Sequence, residues 1–226
     1  MTVFGFSLVS ASKERRENCR GHALKEFLAG AALGVTYIAV VMGALALFGG
    51  YRVSGVVVTT GLVVGLMLGV GAAFAEEVFR GFMLRLLDKA YGTQITVVAL
   101  LFGIIHLLSG VTTGEVSWWG AVAIVLEAGF LLNAAYYLTR CLWFVIGLYL
   151  AWNFMLGGVF GLPVSGIDAG GGLLQGKVSG PAWLTGSTFG PEGSVIAVIF
   201  GLGLGVFLLV TAQQRGNLTT RVKRTY

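Results

Sequence analysis

The chain of 226 residues is 56% hydrophobic and only 11% charged, with a mean hydropathy of +0.87, whereas soluble domains carry roughly 25% charged residues. An ordinary soluble domain is excluded, and three prolines with ten acidic residues leave little room for disorder. The net charge of +5 is not organised as basic patches interleaved with exposed aromatics, so nucleic acid is excluded as a partner and the basic tails are matched to anionic lipid head groups.

Taken in chain order, a basic tail (residues 1–26, with Lys13, Arg15, Arg16, Arg20 and Lys25) precedes an apolar run over 27–49. Ala44, Leu45 and Ala46 resemble a signal-peptide cleavage pattern. The run exceeds the usual apolar region of about 7–15 residues, however, and a retained first span is expected. Further spans are expected from a start between 53 and 63, then at 94–109, 117–138, 142–162 and 194–212. The fold class is therefore all-α: a polytopic transmembrane bundle of about six spans with a long Gly-rich outer loop from Pro163 to Glu192. The thirty-six glycines fit helices whose backbones approach closely. All basic residues except Arg52 and Lys177 fall on one side if the termini are cytoplasmic, and the positive-inside rule selects that orientation. Cys19 and Cys141 are too few and too scattered for a disulfide framework, and on the cytoplasmic side they are expected to be reduced thiols.

A charge within a span costs on the order of 3 kcal/mol on insertion scales, so each one retained there calls for a partner or a task. Glu76, Glu77 and Arg80 are set among Ala72, Ala73, Phe74, Phe79 and Phe82, and the i, i+3 and i, i+4 spacings bring one guanidinium within reach of both carboxylates. One cation cannot neutralise two anions, and the remaining charge calls for a proton, a metal or a polarised water. A continuous helix from Val53 to Ala90 would measure about 55 Å, more than a bilayer needs. A bend around Gly65, Gly69 and Gly71 with a deep placement of the acids is expected, the helix ending near Leu87. His106 follows Phe102 by one helical turn. With Tyr91, Gly92 and Thr93 read as a hairpin turn, Glu77 and His106 both lie roughly 20 Å from it, and the same counting from Arg140 and Cys141 brings Glu127 and Asn153 into one polar layer. Asn153 follows Tyr149 by four, on the same helix face. In the outer loop, Gly190, Pro191 and Glu192 read as a helix start, with the acid at the positive end of the dipole.

Glu76-Glu77 with Arg80 reads E-E-x-x-R, one residue shorter than the E-E-x-x-x-R motif it is compared with, Phe102 with His106 fits F-x-x-x-H, and Asn153 fits the end of H-x-x-x-N. This ordered set resembles the CPBP intramembrane proteases (CaaX protease and bacteriocin-processing, or Abi), also described as type II CaaX prenyl endopeptidase-like, with likeness from about Gly61 through Phe189–Gly193 into the last helix. The resemblance implies a single membrane domain with a family-like core over 61–212 and a second basic tail over 213–226. It implies a bacterial cytoplasmic-membrane endopeptidase acting on a membrane-associated or exported peptide. Glu76 and His106 would activate water, with Glu77 and Arg80 in support and Asn153 at the oxyanion. It leaves open whether Glu76 and His106 hold a divalent metal such as zinc or act without one. Tyr149 stands where the motif has histidine. A phenol donates a hydrogen bond well and ligates metal poorly, which weakens the metal reading more than the water-activation reading. Glu127 matches no motif. Two other functions are consistent with the residues: a proton- or ion-coupled transporter using Glu76, Glu77 and Glu127, and a non-catalytic membrane partner or immunity protein lacking the motif histidine. A transporter built from repeats would show a second acid pair, and the chain has none.

Overall fold

The computed structural model describes residues 19, 21–58, 60–75, 80–82, 91–113 and 118–218, with backbone alone at 91–95 and 109–113. Glu76, Glu77 and most of both basic tails lie outside the described residues. Helix α1 runs Ala23–Leu47. A strand, β1 (Tyr51–Val56), precedes α2 (Gly61–Ala75). Helix α3 (Tyr91–Thr113) follows, then α4 (Trp118–Thr139) and α5 (Leu142–Val159). The outer loop carries β2 (Leu174–Val178), a single helical turn, α6 (Ala182–Thr185), and two 3-10 turns before α7 (Val195–Gln214). Among the described residues, six helices (α1–α5 and α7) fall where spans are expected. Four of them, α1, α4, α5 and α7, are long and apolar enough to cross a membrane, and α2 is a shorter apolar helix.

Exposure is inverted relative to a soluble fold. Leu28 and Val40 on α1, Met67 and Phe74 on α2, Ile104 and Leu108 on α3, and Ile199 and Phe207 on α7 are exposed, while Arg80, Glu127, Asn133, Asn153, Glu192 and Ser194 are buried. An apolar jacket around a polar interior is stable in lipid and costly in water. The chain is an integral membrane protein.

Helix α5 is the axis, packed by α1 along one side and by α2 along another, while α4 is packed by α3 and α7. Hydrocarbon supplies no hydrophobic drive between helices, so close backbone approach has to supply the attraction. Gly30 and Gly34 of α1 rest on the carbonyls of Phe144 and Leu148, Gly147 of α5 rests on the Phe27 carbonyl, and Gly65 of α2 rests on Gly158. At each of these a Cβ would occupy the space of neighbouring backbone.

Two expectations are corrected, on the cysteines and on residues 91–93, and a ribbon not expected from the sequence is added. Cys19 and Cys141 form a disulfide with Cα atoms 5.5 Å apart, because the start of α1 packs against the α4–α5 corner and brings together thiols 122 residues apart in sequence. The second helix starts at Gly61, inside the expected interval of 53–63. Tyr51–Val56 pairs antiparallel with Leu174–Val178 in a two-stranded ribbon, which shortens α2 and removes the need for a 55 Å element. Tyr91, Gly92 and Thr93 are the first turn of α3, not a hairpin turn. Gly190, Pro191 and Glu192 do open a helical turn, the 3-10 turn Pro191–Gly193 with Glu192 in its first turn, and Ser194 then caps α7 by accepting from the Ala197 amide at 3.1 Å.

At the end opposite the ribbon, Arg140 in the left-handed conformation (φ 56°) closes α4. Its guanidinium donates to the Asn217 carbonyl at 2.9 and 2.5 Å and lies 4.6 Å from the Tyr137 ring centroid. With the disulfide, this brings residues 19 and 217 to the same end of the bundle.

Gly34→Val should destabilise the bundle by about 1–3 kcal/mol through overpacking. Gly43→Ala, on the same helix where an added Cβ would meet nothing within 4 Å, should instead stabilise by about 0.5–1 kcal/mol. Thermal unfolding in detergent measures both, and equal effects would contradict the α1–α5 contact. Cys19→Ser and Cys141→Ser should each lower the unfolding midpoint, with the double substitution no worse than either single one, because only one bond is lost.

Candidate active site

Helix α3 presents Phe102 and His106 four residues apart, hence on one face. The His106 Nδ1 lies 2.8 Å from the Phe102 carbonyl oxygen. A carbonyl can only accept, so Nδ1 carries a hydrogen. This bond fixes the orientation of the imidazole, with Nε2 on the opposite edge of the ring. Around Phe102 the other motif residues gather. The Arg80 guanidinium carbon sits 5.8 Å from the Phe102 ring centroid, the Tyr149 ring meets it edge-on at 5.8 Å, and the His106 ring lies 5.0 Å away. Arg80 is wholly buried, a position tolerable for a guanidinium only with polar or aromatic neighbours.

On α5, Tyr149 and Asn153 are both buried. Asn153 donates from Nδ2 to the Tyr149 carbonyl at 2.8 Å, which leaves the amide a second N–H. Directly after Asn153 the helix widens into a π turn, Phe154–Val159. A second π turn, Val125–Gly129 in α4, carries Glu127. Such turns insert one extra residue and re-aim the side chains beside them.

Glu127 is fully buried and receives a hydrogen bond from the Tyr37 hydroxyl of α1, which also lies 3.0 Å from the Ala197 carbonyl. Gly201 of α7 makes room, since a Cβ there would stand 2.6 Å from Glu127 Cγ. The Tyr37 ring lies 4.9 Å from Trp152, and the Trp152 indole donates at 2.9 Å to Glu192 Oε2. Glu192 Oε1 receives the Ser165 hydroxyl at 2.5 Å. Burial pushes the Glu192 carboxyl above the usual carboxylate range, and the Ser165 and Trp152 donors and the nearby His106 pull it back down.

The structure thus brings together Arg80, Phe102, His106 and Tyr149, with Asn153 one helical turn along from Tyr149. Glu76 and Glu77 fall in a segment it does not describe. It adds Tyr37, Trp152 and Glu192, which carried no motif. The signals available for them were a phenol in the middle of an apolar span, an indole beside Asn153 and an acid in a Gly-rich loop. As for a metal, among the described residues no three His, Cys, Asp or Glu side chains converge on a common point. A metal here would draw on His106 Nε2 and Glu76, with Tyr149 a poorer neutral donor than an imidazole.

Residues 57–155 match the family model for type II CAAX prenyl endopeptidases, Rce1-like. This segment is similar to the type II CAAX prenyl endopeptidases. No curated protein and no solved structure matches the chain. The Rce1-like segment holds all three motifs, from Glu76 to Asn153, together with Trp152. The match supports, at family level, an intramembrane CAAX-type endopeptidase. Helix α1, with Tyr37, and the loop with Glu192 lie outside the matched segment yet close around it.

Tyr37→Phe should lower stability by about 1–3 kcal/mol, because it leaves a buried carboxyl without its hydroxyl partner. Thermal unfolding of the variant checks this, and an unchanged midpoint would show that the Tyr37–Glu127 contact contributes nothing.

Proposed function

We propose that the protein is an intramembrane endopeptidase of a bacterial membrane that hydrolyses a peptide bond of a membrane-associated, lipidated or exported peptide. The observation that carries the proposal is the gathering of His106, Arg80 and Tyr149 around Phe102, from different parts of the chain, within an Rce1-like segment.

Water attacks the scissile carbonyl carbon. Glu76, with His106 Nε2, takes the proton that water loses, and the same pair returns it to the leaving amine as the C–N bond breaks. Arg80 and Glu77 hold Glu76 in its charge state. The second N–H of Asn153 and the Tyr149 hydroxyl donate to the carbonyl oxygen as it becomes an oxyanion, within a site already built of buried dipoles. In this role a phenol substitutes for the motif histidine, since both are neutral donors. A divalent metal bound by Glu76 and His106 would lower the pKa of that water.

The test is cleavage of farnesylated and unlipidated peptide libraries by the purified protein in nanodiscs, with and without a chelator. Glu76→Gln and His106→Ala should each lower kcat by about 10²–10⁴-fold, and Tyr149→Phe by about 10²–10³-fold as an oxyanion donor is lost. Cleavage that survives both Glu76→Gln and His106→Ala would overturn the proposal.

A further inference from the structure

The outer loop is folded so as to bring one acid into the bundle. Glu192 is 2% exposed although it lies in a connecting segment. Several unusual backbone features converge on it. Ser165, which donates to it, adopts a left-handed conformation at φ 49°, where a residue with a Cβ is disfavoured. Gly190 has φ 104° and lies so close to Pro163 that a side chain would collide with the Pro163 carbonyl. The amide of Gly166 donates to the Phe189 carbonyl at 2.9 Å, tying the two halves of the loop together. Two indoles grip the turn, Trp119 of α4 donating to the Gly193 carbonyl at 2.7 Å and Trp152 of α5 donating to Glu192 itself at 2.9 Å.

Of these, the Trp152 bond reaches the chemistry. Trp152 precedes Asn153 in α5, and its ring packs edge-on against Tyr149 at 6.0 Å. Its rotation would move both groups assigned above to the oxyanion. A buried indole N–H needs an acceptor. Glu192 supplies the acceptor from outside the helix.

We propose that Glu192 is a positioning residue of the peptide-hydrolysing site: by accepting the Trp152 indole hydrogen bond it fixes the α5 face that carries Tyr149 and Asn153. This rests on the endopeptidase reading above. The outer loop thereby serves as a structural wall of the site.

The test measures kcat and KM on a farnesylated peptide, together with the indole ¹⁵N–¹H resonances of tryptophan-labelled protein in nanodiscs. Glu192→Ala and Trp152→Phe should each lower kcat by roughly tenfold or more, as expected for a misplaced donor, with KM changed less than about twofold. The double variant should be no worse than either single one, because one interaction is removed in all three. Glu192→Gln, whose amide oxygen still accepts from the indole, should recover most of the rate and keep the Trp152 resonance near its wild-type position, whereas Glu192→Ala should move it. Wild-type kcat in Glu192→Ala, additive losses, or a Gln variant as impaired as the Ala variant would overturn the assignment. Should the wild-type protein cleave no peptide, the endopeptidase reading fails, and the resonances still decide whether Glu192 holds Trp152. An unmoved Trp152 signal in Glu192→Ala overturns that hold.

Discussion

Close backbone contact along α5 is the constraint on which the rest of the molecule depends. In lipid, apolar side chains gain little by meeting one another, so helices associate through short-range packing and hydrogen bonds. Gly30, Gly34 and Gly65 let α1 and α2 approach α5 at backbone distance, and Gly147 and Gly158 receive them. With α5 held on two sides, the residues in its C-terminal half have little freedom. Trp152 and Asn153 occupy that half, Tyr149 lies just before it, and all three are buried. Packing by small residues and placement of the polar site are thus one arrangement seen at two scales.

The polar interior obeys the complementary rule, that buried hydrogen-bonding groups require partners inside the protein. Tyr37 of α1 meets Glu127 of α4, Trp152 of α5 meets Glu192 of the outer loop, and the Tyr37 and Trp152 rings join the two pairs. The resulting chain of contacts crosses the bundle from α4 to the loop and passes beside the His106 and Tyr149 cluster. Elements outside the Rce1-like segment therefore support elements within it. The two π turns occur where the long helices α4 and α5 carry their buried polar residues, Glu127 and Asn153. A local change of helical pitch there aims these side chains without ending either helix.

The ends of the chain are organised by different physics. Near Arg140 a guanidinium, two tyrosine rings, the Asn217 carbonyl and the disulfide gather residues from both ends of the chain at one corner. At the other end the β1–β2 ribbon joins the α1–α2 connection to the outer loop. Its hydrogen bonds satisfy backbone groups that no helix covers.

Much of this architecture was legible in the linear order of residues. Apolar runs of membrane-spanning length, interrupted by few charges, define a helical bundle because a backbone in lipid has to satisfy its own hydrogen bonds. The three motifs were likewise readable, since helical spacing alone puts Phe102 with His106 and Tyr149 with Asn153 on common faces. The disulfide, the ribbon and the partnership of Glu192 with Trp152 were not readable in this way. Each joins residues far apart in the chain, and local periodicity carries no information about which distant group will face a given side chain. Cys19 and Cys141 looked scattered because 122 residues separate them, and Glu192 looked like a helix-start acid because its immediate neighbours, Pro191 and Gly193, have that character. The sequence by itself determined which segments enter the membrane and which residue types can do chemistry there, because both follow from local composition and period. Only the tertiary structure decided which polar groups meet, because that choice is made by the close packing of distant helices and the need of each buried donor for an acceptor.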